Sequence, residues 1–138
     1  GYQDERDPIP NEYLNIIKEN SINISYLGKI EDPILFYSKI NVLILPSYRE
    51  GFPTVVLEAS SLKKAIITTK VTGCVDSIIE NKTGLFCDTN SDSILNSIQF
   101  FINNPMKVNE FGENGRDFVV DNFDEKILWN NFIKILKR

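Results

Sequence analysis

Apolar residues in this chain occur in two patterns, short continuous runs and longer segments in which they recur every three or four positions. Continuous runs rich in β-branched residues are typical of strands buried on both faces, whereas the wider spacing is typical of helices with one buried face. The first pattern predicts strands at residues 22–27, 42–45, 65–69 and 84–87.

Helices are predicted between and after these runs, from apolar spacing and from the residues that begin and end helices. The predicted helices cover 12–19, 33–38, 54–62, 76–80 and 92–103, then a segment after Pro105 and one from Asp124 to the end. Strands that alternate with helices form a parallel sheet covered on both faces. The pattern therefore predicts a single α/β domain over residues 1–138, with a helical tail at its C-terminal end.

The segment that follows the strand at 42–45 carries two carboxylates, Glu50 and Glu58, eight positions apart across a glycine turn. In open α/β sheets, ligands bind at the carboxyl ends of the strands, which is where this segment should lie. Glu50 and Glu58 offer acceptors on either side of the helix start. A ligand with hydroxyls at both ends and phosphates between them, such as a sugar nucleotide, fits this arrangement.

Backbone groups in the same segment suit the phosphates. Pro53 is expected at the first helical position, because its ring fixes a helical φ and its missing N–H would have had no partner there. The amides of Thr54, Val55 and Val56 would then be free to bind an anion. Gly51 lets the backbone approach a ligand closely.

A purely structural interpretation of the two carboxylates stays open at this point. Glu50 could cap the helix that follows it, and Glu58 could pair with Lys63 or Lys64 on a solvated face. The spacing alone favours neither this interpretation nor the ligand site.

Composition excludes several classes of function. The 138 residues include 15 basic and 19 acidic ones, and the net charge of −4 argues against non-specific binding to nucleic acid or to an anionic membrane. The chain has no histidine, which removes the commonest general base and metal ligand. Cys74 and Cys87 are too few for a disulfide scaffold or a four-cysteine zinc site, so we expect structural free thiols.

No charged and then apolar leader opens the chain, and no apolar run approaches the roughly 20 residues needed to cross a bilayer. We therefore expect a soluble, cytoplasmic domain. The final segment, 126–138, has an apolar stripe. That stripe predicts packing against the core or another domain, with a membrane-surface helix as the alternative.

The segment from Glu50 to Glu58 resembles the Glu-x7-Glu motif of the family 4 glycosyltransferases, retaining enzymes with the two-domain GT-B fold. The resemblance extends along almost the whole chain and includes the segments 26–30, 38–49, 64–69, 71–79 and 81–85. Its wording is closest to bacterial capsular and surface polysaccharide transferases, which commonly use UDP-sugars. The chain is thus expected to be the Rossmann-like, nucleotide-sugar-binding C-terminal half of a GT-B enzyme, although an incomplete one.

The resemblance also implies roles for single residues. Glu50 would be catalytic and bind hydroxyls of the donor sugar, and Glu58 would bind the ribose. The base would rest near Lys29 and Ile30. The remaining residues would contact the donor sugar and diphosphate, and they are Gly51, Phe52, Pro53, Thr54 and Val55. Like the family, the chain is expected to need no metal and no cofactor, since it contains no Asp-x-Asp. The implied reaction is hexosyl transfer from a UDP-sugar to a glycan or lipid-linked acceptor.

The chain departs from the family where it begins. The first strand, loop and helix of the nucleotide-binding domain, with the Arg and Lys of that loop, and the N-terminal acceptor domain are not in this sequence. We therefore expect this fragment alone to be inactive. We also expect it to self-associate through an unpaired strand edge or through exposed apolar surface. In the full-length enzyme, peripheral attachment at the inner face of the membrane is kept open.

Two other functions are kept as alternatives. One is a stand-alone, non-catalytic module that binds a sugar nucleotide or a partner. The other is a GT-B relative with different chemistry, such as a sugar-nucleotide epimerase. No partner among nucleic acids is expected.

Overall fold

The computed structural model of the chain describes residues 8–19 and 23–136. The described residues up to Phe36 form one compact unit, and those from Tyr37 onward form a second. The helices and strands, in chain order, are α1 (Asn11–Glu19), α2 (Pro33–Ser38), β1 (Val42–Leu45), α3 (Thr54–Ser61), β2 (Ala65–Thr69), β3 (Gly84–Cys87), α4 (Ser91–Asn103), α5 (Pro105–Phe123) and α6 (Glu125–Leu136).

In the first unit, α1 lies within one residue of its predicted bounds and buries none of its residues. The start of α2 has a sequence reason, because the carboxylate of Asp32 accepts the amide of Leu35 at 3.0 Å while Pro33 occupies the first helical position. The predicted strand at 22–27 is wrong for the residues described, since 23–27 form a turn and an irregular segment. Its apolar pattern finds no neighbouring strand in the described chain.

The second unit is built on a sheet in which β1, β2 and β3 are adjacent in that order and parallel. The predicted α/β class and these strand bounds are confirmed. All residues of β2 are buried, so both faces of the central strand are covered. On one face, Ala65 and Ile67 pack with Phe101 of α4 and Phe111 of α5. Helix α3 also contacts β1, β2 and α5.

The predicted helix at 76–80 is wrong. Residues 72–77 form consecutive turns, and Glu80 makes only an isolated bridge to Gly84. Polar side chains take over the backbone groups that a helix would use: Ser77 Oγ donates to the carbonyl of Cys74 at 2.7 Å, and Thr83 Oγ1 accepts the amide of Ile79 at 2.7 Å.

Strand β1 lies at an edge of the sheet, since in the described part of the chain it pairs with β2 alone. A shallow apolar groove of about 190 Å³ lies beside it, lined by Val42, Ile44, Ile67, Ile98, Phe101, Ile102 and Val108. The predicted self-association, through an unpaired strand edge or through exposed apolar surface, stays untested. None of the described helices is long and apolar enough to span a bilayer.

The C-terminal helix α6 contacts α5 and leaves part of its apolar stripe in solvent, including Leu128, Ile133 and Ile135. Cys74 and Cys87 are buried free thiols, in keeping with a structural role. Burial, with the nearby Asp88 carboxylate, raises the pKa of the Cys87 thiol and keeps it protonated and unreactive at neutral pH.

Candidate functional site

An open pocket of about 580 Å³ lies beyond the carboxyl ends of β1 and β2, at the place predicted for a ligand. It is lined by residues from the segments that follow these strands, Tyr48, Arg49, Glu50, Lys70, Val71 and Thr72. The two cations beside Glu50 give the pocket mixed charge. Lys70 is partly engaged elsewhere, because its Nζ lies 3.8 Å from the Glu80 carboxylate and 5.7 Å from the centroid of the Phe86 ring.

Residues 46–53 form the segment that we call the Glu50 loop. The side chain of Ser47 holds the carboxylate of Glu50 in place. Ser47 Oγ donates a 2.5 Å hydrogen bond to Glu50 Oε1. The carbonyl of Ser47 in turn accepts a hydrogen bond from the hydroxyl of Thr69, the last residue of β2. Glu50 does not cap the following helix, since α3 has no side-chain cap. That alternative is therefore wrong.

Gly73 fixes the backbone of the same loop by close approach. Its φ is +92°, and a Cβ added there would lie 2.2 Å from the carbonyl oxygen of Gly51 and 2.5 Å from that of Glu50. Any other residue would have to adopt a strained φ and push the loop away. Gly51 itself faces open space, with no atom within 4 Å of an added Cβ.

The start of α3 differs by one position from the prediction. Pro53 is the N-cap residue rather than the first helical residue, with φ −78° and ψ 92°. The amide of Val56 donates to the carbonyl of Pro53 at 3.0 Å, so it is not free for a ligand as expected. The amides of Thr54 and Val55 have no acceptor among the residues that the structure describes. They point out of the positive end of the helix dipole.

Glu58 lies on α3, is exposed, and meets a buried tyrosine. The hydroxyl of Tyr37 donates to Glu58 Oε2 at 2.9 Å and lies 3.4 Å from the carbonyl of Val55. Burial, the hydrogen bond and the negative charge of Glu58 raise the pKa of Tyr37 to about 12, so the phenol is a neutral donor at physiological pH. Lys63 pairs with Glu113 at 2.8 Å, which leaves the alternative pairing of Glu58 with Lys63 unsupported.

An aromatic contact links the Glu50 loop to the end of α5. The rings of Phe52 and Phe123 lie 5.4 Å apart, and Phe118 meets Phe123 at 5.6 Å. Phe52 therefore has its ring anchored on a helix, although it remains 39% exposed. Lys29 and Ile30 lie on the loop before α2 in the first unit, and their assignment to the base stays a prediction.

The structure brings Glu50, Gly51, Phe52, Pro53, Thr54, Val55 and Glu58 into one continuous loop and helix start. Sequence reasoning missed the residues that hold this segment from outside, namely Tyr37, Thr69 and Gly73, and it assigned no role to Ser47. A serine three residues before a glutamate in a loop was a weak local signal. For Tyr37 the available signal was its residue type, since a buried tyrosine hydroxyl usually has a hydrogen-bond partner. In the described residues no group of three His, Cys, Asp or Glu side chains could hold a metal ion.

Comparison with known proteins identifies the family to which this chain is similar. A model of the family described as "Glycosyl transferases group 1" matches residues 4–118. The chain is 34% identical over 120 residues to a capsular polysaccharide biosynthesis glycosyltransferase, CapM, of Staphylococcus aureus, covering 81% of this chain and 32% of CapM. It is 30% identical over 120 residues to the N,N'-diacetylbacillosaminyl-diphospho-undecaprenol alpha-1,3-N-acetylgalactosaminyltransferase of Campylobacter jejuni, covering 86% of this chain and 32% of that protein.

Solved structures show the same fold. Sucrose-phosphate synthase from Thermosynechococcus elongatus superimposes with a TM-score of 0.82 at 25% identity, over 99% of this chain and 36% of that one. HepE from Anabaena, solved with UDP and glucose, gives a TM-score of 0.80 at 18% identity, over 92% and 36% of the two chains. The chain thus spans about a third of the length of the curated relatives it matches.

Proposed function

The chain belongs to the group 1 family of glycosyltransferases, and from this premise we propose that it is the donor-binding part of a retaining enzyme. That enzyme moves a hexosyl group from a nucleoside-diphosphate sugar, a UDP-sugar, to a glycan or lipid-linked acceptor in polysaccharide assembly. Its relative in Campylobacter is named for a lipid-linked, undecaprenol-diphosphate acceptor. Donor binding is proposed for these 138 residues and transfer for the whole protein.

One observation carries the donor-binding proposal. The free amides of Thr54 and Val55 lie on the chain between Glu50 and Glu58, each of which has a carboxylate oxygen without a hydrogen-bond donor in the described part of the chain. Helix amides bind phosphate oxygens, and carboxylate oxygens accept hydroxyl protons. A diphosphate with a hydroxyl-bearing sugar on each side satisfies all of these groups together.

The roles follow the order along the chain. Glu50, the proposed catalytic residue, binds hydroxyls of the donor sugar, and Gly51, Phe52 and Pro53 line that sugar. Thr54 and Val55 bind the diphosphate through their amides, and Glu58 binds the ribose. Lys29 and Ile30 are proposed to contact the base. Charge develops on the departing nucleoside diphosphate in the transition state, where preorganised amide dipoles stabilise it.

Calorimetric titration with UDP, GDP and ADP, and then with UDP-hexoses, tests this function. UDP is the first nucleotide to use because it is held by HepE, a protein of the same fold. Glu58→Ala should weaken UDP itself about tenfold or more, since the lost hydrogen bonds involve a charged acceptor. Glu50→Ala should weaken only the UDP-hexose. Absence of heat with every nucleotide, from a sample that circular dichroism shows to be folded, would contradict the proposal.

Donor binding is proposed to need no divalent metal. Titration of UDP in the presence of EDTA should give the same dissociation constant as titration with added Mg²⁺, because helix amides rather than a cation meet the phosphates. A loss of affinity in EDTA would instead place a bridging metal at the diphosphate. Binding without transfer by the whole protein would favour the non-catalytic alternative.

Transfer by the whole protein should keep the anomeric configuration of the donor sugar, which nuclear magnetic resonance of the product would report. The lipid-linked acceptor would bring the whole protein to the inner face of the membrane as a peripheral enzyme. Alone, this chain is proposed to bind donor without turnover, because the cationic loop implied by the family resemblance is not among its residues.

A further inference from the structure

Each carboxylate of the site accepts one hydroxyl hydrogen bond, from a donor on a different element. Ser47, in the Glu50 loop, donates to Glu50 Oε1 at 2.5 Å. Tyr37, on α2, donates to Glu58 Oε2 at 2.9 Å. In the described residues, Glu50 Oε2 and Glu58 Oε1 accept no hydrogen bond. Each glutamate therefore has one oxygen fixed by the protein and one left for a ligand.

We propose that Ser47 and Tyr37 are positioning residues, which aim the free oxygens of Glu50 and Glu58 at the donor sugar and at the ribose. This inference rests on the proposed function for the identity of the ligand groups. The hydrogen bonds themselves do not depend on it. The proposed role of each hydroxyl is confined to the hydrogen bond that it donates to its own glutamate.

The physical reason for such an arrangement is the freedom of glutamate. A glutamate side chain in solvent populates several rotamers, and fixing it on binding costs conformational entropy. A carboxylate already held by a neutral hydroxyl has lost much of that freedom before the ligand arrives, so binding is stronger. A hydroxyl suits this task because it leaves the charge of the carboxylate in place, whereas an arginine or lysine would neutralise it.

Tyr37 is itself rigid, which it must be in order to position a flexible partner. Its side chain is 5% exposed, and its hydroxyl is also within 3.4 Å of the Val55 carbonyl. The pKa of Tyr37, raised to about 12, keeps the proton on the phenol well into the alkaline range. Ser47 is fixed through its backbone, because the hydroxyl of the fully buried Thr69 donates to its carbonyl.

A crossed pair of substitutions tests the proposal in solution. Tyr37→Phe and Ser47→Ala each remove one hydroxyl and little else. Two binding ratios report the two ends of the ligand. The first compares UDP with a dideoxy analogue that lacks both ribose hydroxyls, and the second compares a UDP-hexose with UDP.

Tyr37→Phe should reduce the preference for UDP over the dideoxy analogue by roughly five- to tenfold, which lies within the usual cost of ordering one flexible side chain on binding. It should leave the preference for the UDP-hexose over UDP unchanged. Ser47→Ala should do the reverse. Tyr13→Phe, at an exposed tyrosine of α1, and Ser61→Ala, which removes a hydroxyl bonded to the backbone carbonyl of Glu58, are the matched controls and should change neither ratio.

A second readout needs no nucleotide and separates this proposal from the proposed function. With isotope-labelled glutamate carboxyl carbons, nuclear magnetic resonance should show that Tyr37→Phe moves the Glu58 resonance and not that of Glu50. Ser47→Ala should move only that of Glu50. If both respond in this way but no nucleotide binds, the positioning stands and the function fails. If nucleotides bind while neither resonance moves, or both variants change both ratios alike, the positioning proposal is overturned.

Discussion

The Glu50 loop and helix α3 present the same chemical group, a carboxylate, but the protein supports the two in different ways. Glu50 lies on a segment with no repeating backbone hydrogen bonds, held by Ser47, by the hydroxyl of Thr69 and by the backbone of Gly73. Glu58 lies on a regular helix whose buried face includes Val56 and Ala59, and one hydroxyl from Tyr37 completes its support.

This difference implies a difference in vulnerability. A helix carries most of its geometry in its own hydrogen bonds and in packing against the sheet. A loop depends on each outside contact separately, so distant substitutions should damage the sugar end of the site more than the ribose end. The following predictions test this asymmetry.

The largest effect is expected from Gly73→Ala. The methyl group would lie within 2.5 Å of both loop carbonyls, and alanine would adopt a φ near +92°, so the loop must move. We expect the gain in affinity from the hexose to be lost, while affinity for UDP changes little. The free energy of unfolding should fall by about 2–4 kcal/mol, from strain and overpacking. Calorimetry and urea unfolding measure these changes.

Gly115→Ala is the matched control for that substitution. Gly115 lies inside α5, and an added Cβ there would make an ordinary 3.5 Å contact with Ser60 of α3. Alanine is favoured over glycine in a helix interior by about 0.8–1 kcal/mol. This variant should be as stable as the parent or more so, with unchanged donor binding. If Gly73→Ala kept the full hexose gain, the backbone contact would have no part in placing Glu50.

Gly112→Ala examines the support of α3. An added Cβ there would lie 2.2 Å from the carbonyl oxygen of Lys63, just beyond the end of α3. We expect the free energy of unfolding to fall by about 2–3 kcal/mol, because α5 must move away from that carbonyl. The affinity gain from the hexose should remain, since the Glu50 loop is held elsewhere. Loss of that gain without loss of UDP binding would contradict the division between loop and helix.

Neighbouring threonines of β2 provide a smaller and cleaner test. Both are fully buried, and both donate to main-chain carbonyls of the adjacent segment, Thr69 to Ser47 and Thr68 to Leu45 at 3.1 Å. Valine at either position should lower the free energy of unfolding by about 1–3 kcal/mol, because a partly buried carbonyl loses its donor. Only Thr69→Val should also reduce the gain in affinity that the hexose adds to UDP. An equal reduction from Thr68→Val would indicate a general weakening of the sheet.

The smallest effect concerns pH and the helix side of the site. The pKa of Tyr37 is raised from 10.0 to about 12, so the folded chain holds this proton more tightly than the unfolded chain does. The resulting stabilisation is complete below pH 10 and is lost as the pH rises through about 12. Between about pH 9 and about pH 11, the parent should lose on the order of 1 kcal/mol more than Tyr37→Phe. Parallel urea unfolding curves would show this, and identical losses would contradict it.

The sequence predicted those parts of the fold whose signals are local. The strands β1, β2 and β3 appeared as continuous apolar runs, and they have the predicted bounds because each finds a parallel neighbour. The run at 22–27 has a similar pattern, but a strand exists only with a hydrogen-bonded partner. The helix expected at 76–80 gave way to turns because Ser77 and Thr83 bond to the backbone instead.

The candidate site shows the same limit. Spacing identified Glu50 and Glu58, and chain order identified the free amides of Thr54 and Val55. The residues that hold the carboxylates include Tyr37, which is 21 positions from its partner Glu58, and Gly73, whose role is a distance between two backbones. Neither the Tyr37–Glu58 hydrogen bond nor the close approach of Gly73 to the loop can be read from the sequence, because both arise only when distant segments fold together.

A crystal structure of this chain with a bound UDP-hexose would show directly whether the two carboxylates bind the two sugars of the donor. We expect ribose hydroxyls within about 3.2 Å of Glu58, hexose hydroxyls at the same distance from Glu50, and diphosphate oxygens at the amides of Thr54 and Val55. A bound donor whose ribose and hexose both lie away from these two carboxylates would contradict it.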